Sequence, residues 1–237
     1  MPKITPDAGH LTVLNIFLTD APEKQERLLD EMRAIVDTAA FEGWISSTVH
    51  SAVESAGTAN FIQWRSVEDL MTRYEDDKFK HRTVPTFGEI TTSMMLLQNL
   101  VAFTQVGRER NVEVEISPER DDYTVIEFFG VGQDGQDELI DVLGPTMKWL
   151  GNVPGYRSHT VMRGIGSRGY EGSFVVRYSQ WDSRERWEAF RDFPRAQWPA
   201  PRAKVQARIE ALTTTYISNT YRVVHTRSAD RLPDPVR

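Results

Sequence analysis

Residues 11–18, LTVLNIFL, are apolar or β-branched at nearly every position, the composition of a buried strand. The following segment, APEKQERLLDEMRAIVDTAA, changes period. Leu28, Met32, Ile35, Val36 and Ala39 fall on one helical face, Pro22 suits the first turn, and Glu42-Gly43 ends the helix. A strand over 44–53 and the turn ESAGTA lead to a third strand, NFIQW (60–64). Ser66 is placed to cap the next helix, with Glu68 and Asp69 at its positive end. That helical pattern runs to about Phe79, and Pro85 is expected to break it. SMMLLQNLVAFTQ (93–105) reads as a long last strand.

The order β-α-β-β-α-β then recurs. Strands are expected at 123–131, 157–163, 172–181 and 214–226, and helices at 135–151, 183–193 and 202–212. Individual residues repeat with it. TVLNIF (12–17) matches TVIEFF (124–129), and at the same offset Gly43, Ser46, Thr48 and Val49 return as Gly155, Ser158, Thr160 and Val161. QWRSVE (63–68) returns as QWDSRE (180–185), the offset lengthened by a Gly-rich loop. A helix after the first strand, another after the third and a hairpin between make a ferredoxin-like unit. The fold class expected is α+β: two tandem ferredoxin-like domains packed sheet to sheet as a pseudo-dimer. The first spans 1–107 and the second 123–228. Residues 108–122 form a linker whose NVEVEI stretch can add an edge strand, and 229–237 form a loose polar tail.

Composition narrows the function. Hydrophobic residues make up 40% and charged residues 26%, as in a soluble globular protein. The net charge of −6 and the lack of a basic stripe argue against nucleic acid. The absence of cysteine removes disulfides, iron–sulfur clusters, thiolate zinc sites and thiol nucleophiles. No apolar signal core opens the chain and no run of 18 apolar residues occurs, so no membrane partner is expected and the cytoplasm is the expected compartment.

Capping accounts for Ser66, Glu68, Ser183 and Glu185. It does not account for the tryptophan that precedes each cap. On the third strand, Asn60, Ile62 and Trp64 share one face; on the second, Ser46, Thr48 and His50 do. Brought together in a hairpin, His50, Asn60 and Trp64 converge on one side of the sheet. If that side faces the helices, Met71, Tyr74, Phe79, His81 and Phe87 roof a largely aromatic cavity with few polar groups, the usual construction for a flat organic ligand. A strand-end tryptophan is as readily plain core. The second copy has Met162 in place of His50 and Arg177 in place of Asn60, so its site is lost or rebuilt from His159, Arg177 and Trp181.

Other signals fail. GIGSRG (164–169) fits a dinucleotide fingerprint but is followed by a strand, not a helix. The five histidines, 10, 50, 81, 159 and 225, have no ligand spacing, so no metal site is expected. No G-x-S-x-G elbow occurs.

A duplicated ferredoxin-like unit with NFIQWRS around a strand-end tryptophan resembles the antibiotic biosynthesis monooxygenase superfamily of dimeric α/β barrels, over roughly residues 11–105 and 123–226. The anthrone-oxidising members carry an asparagine four residues before that tryptophan and a histidine on the preceding strand, positions matched by Asn60, Trp64 and His50. Their following tyrosine has Leu70 and Tyr74 as its nearest counterparts. GWISSTVHS, ANFIQWRS and FKHRT are similar to the angucycline ring-opening oxygenases of the jadomycin, gilvocarcin and kinamycin type. That resemblance implies O2-dependent C–C cleavage of a polycyclic aromatic polyketide quinone or hydroquinone. It also implies reduced flavin (FADH2 or FMNH2) as a diffusible co-substrate from a separate reductase, with no tightly bound cofactor. In the implied chemistry His50 or His81 is the base, Asn60 donates to the oxyanion and Trp64 stacks on the ring. Met71, Tyr74, Phe79 and Phe87 would bind substrate. Three alternatives stand beside it: a cofactor-independent anthrone-type monooxygenase, a haem-degrading oxygenase built on Asn15, Trp64 and His81, and a non-catalytic polyketide-binding protein. The chain is expected as a monomer with an internal pseudo-dimer or as a homodimer.

Overall fold

A computed structural model describes residues 1–6, 9–77 and 79–229. The elements follow the expected order: β1 (Leu11–Leu18), α1 (Pro22–Asp37), β2 (Trp44–Ala52), β3 (Gly57–Trp64), α2 (Val67–Glu75), α3 (Val84–Ile90) and β4 (Ser93–Val106), then β5 (Tyr123–Val131), α4 (Gln136–Leu143), β6 (Tyr156–Arg168), β7 (Ser173–Trp181), α5 (Arg184–Arg191), α6 (Ala200–Leu212) and β8 (Thr213–Ser228). The α+β, ferredoxin-like fold is what the pattern of residues predicts. The expected tail lies, from residue 230 on, outside the described residues.

Each half lays its strands in the same order, the first and third flanking each other at the centre. The sheets then join at both edges. β2 pairs with β8 and β4 with β6, and β1 pairs with β4, so the long strands close into one antiparallel barrel in the order β1-β3-β2-β8-β5-β7-β6-β4. Closure removes the unpaired edges that an open sheet would present. The barrel interior is a single apolar core to which both halves contribute, with Leu14, Phe61 and Leu97 packing among Phe128, Val176 and Tyr178. The helices lie outside the barrel, each set covering the outer face of its own half.

Local chemistry explains the repeated residues. Ser66 and Ser183 each cap a helix, accepting from the backbone N–H of Asp69 (3.2 Å) and Arg186 (3.3 Å). Gly43 and Gly155 take left-handed φ values of 71° and 83°, and a Cβ on either would collide with Asp69 or Arg186 behind the cap.

The structure differs from expectation in four places. The 135–151 helix stops at Leu143, because Gly144-Pro145 breaks it, and continues as the 3₁₀ segment Pro145–Asn152. Pro85 does not break a helix; it sits in the first turn of α3, where a missing N–H costs nothing. The segment before it, Phe79–Thr83, is a π-helical turn, a form often found at functional sites. The linker's Val114–Glu115 pairs with Lys3–Ile4 rather than extending the other half's sheet. Among the described residues no helix is long and apolar enough to cross a membrane.

Candidate functional site

The outer face of β1–β3 and the roof of α1, α2, the π turn and α3 enclose a cavity of about 80 Å³. Asn60 and Trp64 reach it from β3, as their alternation predicts, and Tyr74, Phe79 and Phe87 line it from the roof. Among the lining residues not expected from the sequence are Phe41, Trp44, Ser47 and Arg73. Asn15, which the haem alternative used, also lines it and pairs with Asn60 across β1 and β3. Tyr74 stacks on Phe79 with centroids 5.0 Å apart, and Phe41 lies 6.3 Å from Trp64. Burial raises the Tyr74 pKa, which keeps its hydroxyl neutral. The Arg73 guanidinium sits 4.2 Å from the Phe41 centroid and 4.7 Å from that of Phe79, and pairs with Asp76 at 3.2 Å. Burial lowers its pKa, but an arginine remains protonated.

His50 does not join this site. The hairpin register pairs Val49 with Asn60 and His50 with Ala59. Directly paired residues share a face, so His50 points into the barrel. There it is wholly buried, its Nε2 2.9 Å from the Tyr178 hydroxyl. Burial pushes its pKa down to about 4. His81 and Met71 are exposed and line no part of the cavity. No histidine lines the cavity among the described residues, so neither expected base stands there and a haem would find no axial imidazole from His81.

His50 carries a stability prediction instead. Its folded pKa lies below the ordinary 6.5, so the unfolded chain takes up the proton first as pH falls. Its contribution is complete above pH 6.5 and is lost between there and about pH 4, by about 3 kcal/mol at 1.36 kcal/mol per unit. Urea unfolding at pH 7 and pH 4.5 will show a shallower pH dependence in His50→Gln than in the wild type. Equal slopes would contradict this.

The roof pair Tyr74–Phe79 is a shared wall. On its other side an open groove of about 410 Å³ is lined by Lys80, Val84, Leu96, Gln98, Ser167 and Arg168. GIGSRG is no nucleotide turn: residues 164–168 are the end of strand β6, paired with β4, and Ser167 and Arg168 face the roof of the other half. Cavity and groove together fall within the ~300–1,000 Å³ of pockets that bury a drug-sized ligand, which the cavity alone does not.

Three polar atoms in the cavity wall are unpartnered. Asn15 Oδ1, Asn60 Oδ1 and Trp64 Nε1 are buried with no hydrogen-bond partner among the described residues. Trp44 Nε1, by contrast, donates to Ser47 Oγ at 3.0 Å. Unpaired buried polar groups are costly, and these three belong to residues that line one cavity.

The second-half residues separate. Arg177 lines a larger cavity of about 720 Å³, whereas His159 and Trp181 do not. His159 is buried, its Nδ1 2.7 Å from the Tyr156 hydroxyl, and burial drives its pKa down to about 3. Trp181 packs in the core against Tyr156, Trp187 and Phe190. Among the described residues no group of three or more His, Cys, Asp or Glu is arranged to hold a metal.

Residues 122–197 match the model of a family described as antibiotic biosynthesis monooxygenase. A solved structure described as an anthrone oxidase-like protein is 52% identical, with 100% of both chains covered and a TM-score of 0.95. A monooxygenase candidate from Lactobacillus acidophilus NCFM shares 8% identity over 93% of this chain and 96% of its own, with a TM-score of 0.55. A major regulator of staphylococcal pathogenesis shares 11% over 90% and 99%, at 0.52. These last two are alike in fold only. No curated protein matches the chain.

Proposed function

We propose, from the premise that this chain belongs to the antibiotic biosynthesis monooxygenase family and is an oxygenase, that its N-terminal half oxidises an anthrone-type polycyclic aromatic with O2. The observation that carries this is the trio of buried, unpartnered atoms on Asn15, Asn60 and Trp64 inside an aromatic cavity beside a guanidinium. The 52% identity to an anthrone oxidase-like protein gives the substrate class. The fold suits a chain in which residues 1–107 and 123–228 are fused partners of one barrel, joined by 108–122, working in the cytoplasm as a monomer.

An anthrone is weakly acidic at the carbon opposite its carbonyl. Removing that proton gives an enolate, electron-rich enough to reduce O2. With no histidine lining the cavity among the described residues, the proton leaves to water, and the Arg73 cation lowers the substrate's pKa by stabilising the anion. The Asn60 amide turns an N–H to the enolate oxygen, and the Asn15 amide and Trp64 indole complete its hydrogen bonds. One electron passes to O2, and the radical pair recombines into a carbon–oxygen bond, leaving a hydroperoxide. Loss of the second C–H proton with cleavage of the O–O bond expels water and leaves a quinone. Both electrons come from the substrate, so no flavin and no reductase enters a step.

Anthrone supplied without flavin will give enzyme-dependent oxygen uptake, and mass spectrometry will show one oxygen gained and two hydrogens lost. Lack of uptake unless reduced flavin is added would contradict the proposal. A product with an opened ring would restore the angucycline-type C–C cleavage. Arg73→Gln will move the acid limb of the pH dependence of kcat upward by about one unit, because an adjacent cation lowers the bound acid's pKa by roughly that much or more. An unmoved limb would show that Arg73 only packs.

A further inference from the structure

The C-terminal half carries a cavity of its own, about 720 Å³, between the outer face of its strands and α5–α6. Its floor is where the repeat changes chemistry. Glu127 and Arg177 pair across β5 and β7 in the register where Asn15 and Asn60 pair across β1 and β3. Arg177 donates through Nε and Nη2 to Glu127 at 2.5 and 2.8 Å, and through Nη1 to the Met147 sulfur at 3.1 Å. The Tyr216 hydroxyl donates to the same carboxylate at 2.9 Å. A guanidinium has five N–H groups, so two on Arg177 stay without an acceptor among the described residues.

A further donor, Arg202, lines the same space. Arg202 stacks its guanidinium 4.2 Å from the Phe190 centroid and 4.3 Å from that of Trp198, and one N–H goes to the Phe190 carbonyl at 2.7 Å. It forms no ion pair among the described residues. An amide such as Asn60 can turn either a donor or an acceptor to a ligand. A guanidinium can only donate. The lining carboxylates Glu54, Asp192 and Glu210 are each paired with Arg191 or Arg195, so the charged groups with N–H to spare in this cavity are Arg177 and Arg202, set between aromatic walls.

We infer that the C-terminal half holds a second ligand site, for a planar aromatic rich in acceptors, a quinone or an aromatic carboxylate. Its oxygens take the N–H groups of Arg177 and Arg202, and its ring lies beside Phe190 and Trp198. Only the match to an oxidised product rests on the function proposed for the other half; the binding itself does not.

The test is calorimetric titration of the full chain with anthraquinone carboxylate. Ser218 is exposed on β8, lines the cavity and pairs with Glu127, so Ser218→Trp fills the cavity without disturbing the core. Wild type and Asn60→Ala will bind the probe, and Ser218→Trp will not. Trp198→Ala, a milder change at the rim, will weaken binding about tenfold. Anthracene carboxylate, which lacks the quinone oxygens, will bind wild type about tenfold more weakly. Absence of binding to wild type, or binding that survives Ser218→Trp and vanishes in Asn60→Ala, would overturn the inference. Oxygen uptake is read separately, so its failure leaves this result standing.

Discussion

Asn60→Ala will slow oxygen uptake with anthrone by about 100-fold, the usual cost of removing one preorganised oxyanion donor, while leaving the fold at least as stable. Those two expectations pull apart a catalytic from a structural role. In the resting cavity Asn60 Oδ1 is buried and has no hydrogen-bond partner among the described residues. A buried acceptor without a partner destabilises, and replacing it with an apolar group removes that penalty. Had Asn60 been retained for packing, stability and activity would fall together. Urea unfolding at pH 7 beside the rate measurement reads both. A substrate anion instead meets the amide's N–H, an interaction that belongs to the reaction and not to the resting protein.

Glu127→Ala will lower the unfolding free energy by about 3 kcal/mol, the low end of the range for breaking a buried ion pair. The pair is well formed, with side chains 11% and 4% exposed for Arg177 and Glu127. Nearby carboxylate charge from Glu127 helps hold the arginine pKa up against the burial that lowers it. Removing Glu127 strands the guanidinium, and the open cavity above it admits water, which moderates the cost. The double change Glu127→Asn with Arg177→Asn will restore most of the loss. The other half already accommodates an amide pair, Asn15 and Asn60, at the matching register. Denaturant midpoints of the single and double variants decide this. A double variant as unstable as the single one would show that the ion pair is specified by more than its own charges.

Much of this architecture is legible in the chain. The repeated TVLNIF/TVIEFF and QWRSVE/QWDSRE segments mark two copies, and the switch from period two to helical period sets each element's type. Alternation along β3 correctly sends Asn60 and Trp64 to one face. It cannot say which residues of β2 join them. That depends on the pairing register and on the bulge between Trp44 and Ser46, which place Trp44 and Ser47 beside Trp64 and Ile62 and turn His50 inward. Pro85 looked like an end because the sequence hides the π turn that lets a new helix start there. Arg73 reads as an ordinary solvated charge until α2 is laid over the sheet. The Glu127–Arg177 pair was within reach. The offset that sets Arg177 under Asn60 has a partner offset that sets Glu127 under Asn15, and reading the two together would have placed a charge pair at the floor of the second half.

The most direct test of the claim that chemistry belongs to the N-terminal half is the rate of anthrone-dependent oxygen uptake, without flavin, in wild type, Asn60→Ala and Ser218→Trp. The account predicts uptake nearly abolished in Asn60→Ala and retained in Ser218→Trp. Uptake retained in Asn60→Ala and lost in Ser218→Trp would move the reaction to the other half of the barrel and contradict it.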